Sequence, residues 1–210
     1  MSFPQLPLED YGNVRARIQS GDVILCSGNY AFSKLIQKAT KSCWSHVAFV
    51  LRFDDIDRIM VLESIEGSGV RTVALSEYVQ NFENTKCGYN GRVALARHRR
   101  FKSIAKPAGM KRMAQFAVDR FARPYDEEEI ARITARIVGG ALGFEKSELP
   151  RNDEYICSEY VFECYREIGI DIAYDERGFV APSDFARDKE MQLLFELKVV
   201  PTPPASPFPT

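Results

Sequence analysis

The sequence predicts an α+β fold, with an antiparallel sheet or small barrel from the first half of the chain and helices from the second half packed on it. Two observations carry this. Up to about residue 97 the apolar residues gather in short runs rich in β-branched side chains and parted by turn formers; beyond residue 105 they recur at helical spacing. A third observation bounds the answer: 210 residues, 45% of them hydrophobic and 27% charged, suit one well-buried domain. We assign it to residues 1–200. Residues 201–210 hold repeated prolines that can neither continue a helix nor pair centrally in a sheet, and are expected to be a mobile tail.

Residues 1–20 read as a polar lead-in with a short helical piece. Gly21-Asp22 opens the β-type run Val23 to Cys26. Asn29 is placed to cap a helix whose apolar face is Phe32, Leu35, Ile36 and Ala39. Residues 45–53 and 58–64 are strands joined by the acidic turn Asp54–Asp57, and Val70–Val73 is a third, after a glycine break. A short helix over 75–82 and a strand over 91–97 complete the first half. Helices follow over 105–122, 127–138 and 156–168, and a strand is expected over 194–200.

Lys+Arg is 28 and Asp+Glu is 29, a net charge of −1, so the chain has no bulk electrostatic reason to seek nucleic acid. The basic stretch Arg97–Arg100, with Lys102, Lys106, Lys111 and Arg112, reads as a solvated face. No apolar run is long enough to span a bilayer and the first residues show no signal-peptide pattern, so a cytoplasmic protein without a transmembrane segment is expected. Five widely spaced cysteines do not form a disulfide framework, and without a C-x-x-C pair and with only two histidines no metal or other cofactor is expected.

Those two histidines, His46 and His98, are the only imidazoles available as a general base near neutral pH. His98 lies among arginines, which should lower its pKa. His46 lies inside an apolar strand, where a buried ring needs a hydrogen-bond partner. A hairpin centred on Asp54-Asp55 pairs Val50 with Ile59, Ala48 with Val61 and His46 with Glu63, bringing Glu63 to the ring. A one-residue slip would break this pairing. Cys157 falls in the first turn of a helix that ends at Gly169, where unpaired N–H groups and the helix dipole favour a thiolate. From these residues alone, a locally satisfied histidine and a packed cysteine stand beside the catalytic reading.

Several elements occur in a telling order: Gly21-Asp22-Val23-Ile24-Leu25, Trp44-Ser45-His46-Val47, Leu62-Glu63, Gly69-Val70-Arg71, Pro124-Tyr125-Asp126 and Tyr155-Ile156-Cys157-Ser158-Glu159. Over about residues 21–190 the chain resembles the circularly permuted branch of the NlpC/P60 superfamily, papain-like cysteine hydrolases of YiiX-like type, and more distantly the lecithin retinol acyltransferase group. The resemblance implies a permuted papain-like fold with Cys157 as nucleophile, His46 as its base, Glu63 as the third polar residue and Tyr125 as an aid to oxyanion stabilisation. It implies cleavage of a peptide-like, γ-glutamyl or wall-peptide amide through a thioester. A lipid ester hydrolase or acyltransferase, or a catalytically silent ligand-binding module of the same fold, are the alternatives. The partner in each case is a peptide-like or acyl small molecule.

Overall fold

The computed structural model describes residues 2–126, 154–174 and 179–201. Its strands are β1 (Leu8–Glu9), β2 (Val23–Gly28), β3 (His46–Phe53), β4 (Arg58–Ile65), β5 (Gly69–Ala74), β6 (Gly91–His98) and β7 (Met191–Leu197). Its helices are α1 (Tyr11–Val14), α2 (Ala31–Ala39), α3 (Leu75–Gln80), α4 (Phe101–Ile104), α5 (Pro107–Val118), α6 (Cys157–Arg166) and α7 (Pro182–Arg187). Among the described residues the strands form one sheet in the order β1-β7-β6-β2-β3-β4-β5, antiparallel throughout except for the β1–β7 pair. No ladder among them joins β5 back to β1, so of the two expected forms this is the open sheet.

The sheet is covered on both faces, which explains why its central strands read as nearly unbroken apolar runs. Val23, Leu25, Val47, Phe49, Leu62, Ala94 and Ala96 face a core shared with Tyr160, Val161 and Cys164 of α6 and Met113 of α5. Their sequence neighbours Ile24, Cys26, Ala48, Val50, Val61 and Leu95 face a second core with Val14, Leu75, Tyr78 and Val79. Alternate residues thus serve opposite cores, as the two-residue period of a strand requires.

Several expected boundaries are corrected. The helix over 105–122 is two pieces, because Pro107 starts α5 with Lys106 as its cap residue and α4 ends at Ile104. Asn29 does not cap α2: Tyr30 holds the cap position, and the Asn29 amide is spent on Lys34 and Asn90. The helix over 75–82 ends at Gln80 and gives way to a 3-10 turn, Phe82–Asn84. The last strand lies three residues earlier than 194–200, and the two-residue β1 was not expected at all. The helix expected over 127–138 lies outside the described residues, as does most of the Pro-rich tail.

The hairpin register is corrected too. Asp54–Ile56 forms a 3-10 turn and Asp57 adopts a left-handed conformation, so Phe53 and Arg58 close the loop and Val50 faces Val61, not Ile59. The register is displaced by two residues from expectation. A two-residue displacement keeps every side chain on its face, whereas a one-residue slip would not.

Candidate active site

The β3–β4 ladder stops at Phe49 opposite Leu62, although both strands run on. In the same register Val47 would face Ser64. Instead the chain leading into α6 takes the space between them. The Ser64 hydroxyl donates to the Tyr155 carbonyl at 2.6 Å, and the Val47 N–H is directed at the Cys157 sulfur. The splayed strands therefore hold the start of α6 through the Ser64 side chain and through the Val47 N–H, a backbone group that a continuous ladder would have used. On the other side Gly69, with φ of 67°, lets the Arg123 carbonyl approach so closely that a Cβ there would lie 2.0 Å from it. Val70 and Arg123 bond through N–H and carbonyl at 2.9 Å, and the Tyr155 N–H donates to the Pro124 carbonyl at 3.2 Å. These bonds set Tyr125 next to the helix start.

Cys157 is the first residue of α6, after the cap residue Ile156. Burial opposes its ionisation. The imidazole of His46, in charge and hydrogen bond, and the N–H groups of Val47 and Ser158 outweigh burial and hold the thiol below its ordinary value. His46, the first residue of β3, contacts Cys157 and presents Nε2 to Glu63 Oε2 at 2.8 Å. With Nε2 so engaged, Nδ1 is the nitrogen left for the sulfur. Burial works against the imidazolium, but the Cys157 and Glu63 charges and hydrogen bonds prevail, and the ring is pushed up to about 10.

Glu63 is fully buried. Burial alone would raise its pKa, yet His46, Arg71 and Tyr78 hold it below the ordinary value. His46 and Glu63 are not directly opposed, as the corrected register shows; they are diagonal neighbours on one face, within reach because the glutamate is long. Tyr125 packs with Ile156, Phe179 and Ala181, and its phenol is pushed up by burial and then by the charge of Cys157. The structure thus brings all four sequence-predicted residues together.

Two contributors escaped sequence reasoning. Arg71, directly opposite Glu63 across the β4–β5 ladder, donates through Nε to Glu63 Oε1 at 2.8 Å. The Tyr78 hydroxyl, from α3, donates to Glu63 Oε2. Extending the register argument to the second hairpin would have found Arg71. Nothing local marks Tyr78, which arrives through helix packing.

The other candidates lie elsewhere. His98 is buried at the far end of β6, with Nδ1 unpartnered within the described structure; its pKa is lowered as expected, chiefly by burial and in lesser part by the neighbouring cation Arg100. Arg97 is not part of a solvated face, since its guanidinium grips the buried carboxylate of Asp22 at 2.6 Å.

An antiparallel sheet with a cysteine-bearing helix wedged at its splayed end and a histidine on the adjoining strand is the arrangement of a papain-like thiol hydrolase, with histidine preceding cysteine in the chain. A family model described as permuted papain-like amidase enzyme, YaeF/YiiX, C92 family, matches residues 17–200, and the chain belongs to this family. No curated protein matches it in sequence. Among solved structures it is similar to the crystal structure titled metalloprotein yiiX from Escherichia coli O157:H7, with a TM-score of 0.59 and 18% identity over 87% of this chain and 98% of that one. At that identity the likeness speaks to fold.

Proposed function

We propose that the protein is a cysteine amidase that cleaves a peptide-like amide, of γ-glutamyl or wall-peptide kind, through a thioester on Cys157. The observation that carries this reading is the contact chain from the Cys157 sulfur through the His46 ring to the buried Glu63 carboxylate. In the first step the thiolate attacks the amide carbon and the carbonyl oxygen becomes an oxyanion. The Cys157 N–H and the Tyr125 hydroxyl stabilise that charge. His46 then gives its proton to the leaving nitrogen, the C–N bond breaks, and an amine departs. Water, deprotonated by His46, next attacks the thioester carbon and releases the carboxylic acid, returning the thiolate and imidazolium. Glu63 orients the ring and stabilises its charged form throughout.

The amide is favoured over a lipid ester because the family is one of amidases. The related crystal structure carries the word metalloprotein in its title, but among the described residues no group of three or more His, Cys, Asp or Glu could hold a metal ion, and no step here passes through one. No described helix is long and apolar enough to cross a membrane. A reducing, cytoplasmic working compartment belongs to this reading and is supported by five free thiols.

The test is to offer γ-glutamyl amides, short peptides and acyl esters and to trap the acyl-enzyme by intact mass spectrometry. An adduct on Cys157 with an amide donor, absent from Cys157→Ala, is the expected result. Undiminished turnover by Cys157→Ala would contradict it.

A further inference from the structure

We propose that Arg71 and Tyr78 are positioning residues of this site, clamping the Glu63 carboxylate so that it meets His46 in one orientation. The inference rests on the catalytic reading above and adds to it a second tier of the machinery. Glu63 has no exposed surface, so it cannot be satisfied by solvent and each of its oxygens needs a protein donor. Oε1 takes the Arg71 Nε at 2.8 Å; Oε2 takes the Tyr78 hydroxyl and the His46 Nε2. The three donors come from β5, α3 and β3, so the carboxylate plane is fixed by three separate elements. The tyrosine oxygen also lies 3.4 Å from His46 Nε2, touching both partners of the pair.

Charge gives the arrangement a second meaning. Cys157, His46, Glu63 and Arg71 form a row of alternating sign, and the outer nitrogen of Arg71 continues it to Glu83 at 3.2 Å on the surface. A thiolate, an imidazolium and a carboxylate alone would leave one uncompensated negative charge in a buried place. Arg71 balances it, which is the condition for keeping a buried carboxylate ionised. Tyr78 is itself fixed, packed edge-on against Phe82 and stacked with Tyr89. The groups facing Glu63 are His46, Arg71, Tyr78 and the thiol of Cys26, with Cys157 beyond His46. The two thiols aside, every one of these is a donor to the carboxylate, so loss of any donor moves Glu63 toward its neutral form, which no longer supports the imidazolium.

The experiment follows iodoacetamide alkylation of Cys157, located by peptide mapping, from about pH 4 to 9 across the range in which these groups titrate. It compares wild type, His46→Ala, Tyr78→Phe, Arg71→Met and Arg71→Lys, with the Tyr78 and Arg71 changes repeated on Glu63→Gln. Tyr78→Phe keeps the ring and Arg71→Lys keeps the charge, so both are expected to fold. The acid limb of the profile should move up by about one pH unit in Tyr78→Phe and further in Arg71→Met, the scale of a hydrogen bond to a charged group. Arg71→Lys should recover part of the displacement, and neither change should act further once Glu63 is Gln. A His46-dependent limb that neither substitution moves, or one they move equally in Glu63→Gln, overturns this proposal alone. A wild-type profile identical to that of His46→Ala overturns the catalytic reading and this one with it.

Discussion

Helix α6 carries two cysteines, both buried, two turns apart, and they are opposite in character. Cys164 lies in the core beneath the sheet, where burial pushes its thiol well up. Cys157 is also buried, at 5% exposure, yet its thiol is held down by an imidazole and two backbone N–H groups. The histidines divide in the same way. His98 is buried, its Nδ1 has no partner among the described residues, and its pKa is lowered; the partly buried His46 lies between two groups that take negative charge and is raised. All four residues are at least partly buried, so enclosure does not make a group reactive. What separates the pairs is whether donors or opposite charges meet the group at the splayed end of the sheet.

The sharpest way to break this comparison is to remove each thiol in turn. Cys157→Ala should abolish amide turnover, while Cys164→Ala should leave it intact and lower stability by about 1 kcal/mol, an ordinary cost for a core substitution. Turnover lost equally in both would show that the helix matters and the partners do not. Next in size, His46→Ala should cost about 10⁴-fold in kcat/KM, at the upper end for general acid–base catalysis, while His98→Asn should not change it. Tyr125→Phe should cost about 10²–10³-fold, the usual value of one oxyanion donor, with the alkylation profile of Cys157 unchanged.

The smallest effect is on stability and sharpens the role of Glu63. Its pKa in the fold lies below the ordinary 4.5, so the unfolded chain binds its proton more readily. The stabilisation is therefore fully present above about pH 4.5 and is lost as pH falls through the folded value. Thermal melting of wild type should show that acid-side loss, and Glu63→Gln should flatten it. Parallel acid limbs in the two proteins would place the titrating group elsewhere.

How far the site could be read from the residues follows the same division. Strand positions were legible because both sheet faces are buried and the apolar runs are long. His46 and Glu63 were paired on a register displaced by two residues, and the pairing survived only because a strand's side chains repeat every second position. The displacement arose in the turn, whose centre lies between Asp55 and Ile56, one residue later than the Asp54-Asp55 centre on which the pairing was built. Cys157 was visible as the start of a helix. The Val47 N–H that serves it was not, because that group is freed by two strands parting around a segment almost a hundred residues further along the chain. Tyr78 and the brief β1 were hidden for the same reason: each is placed by tertiary packing, which no local pattern records.

The most direct test of the account is the pH dependence of Cys157 alkylation in wild type and His46→Ala, with Cys164 as an internal reference. Cys157 alone should react fast well below the ordinary thiol value of about 8.5, and that low-pH reactivity should be lost when His46 is removed. A Cys157 that reacts only above that value, with the same profile in both proteins, would contradict it.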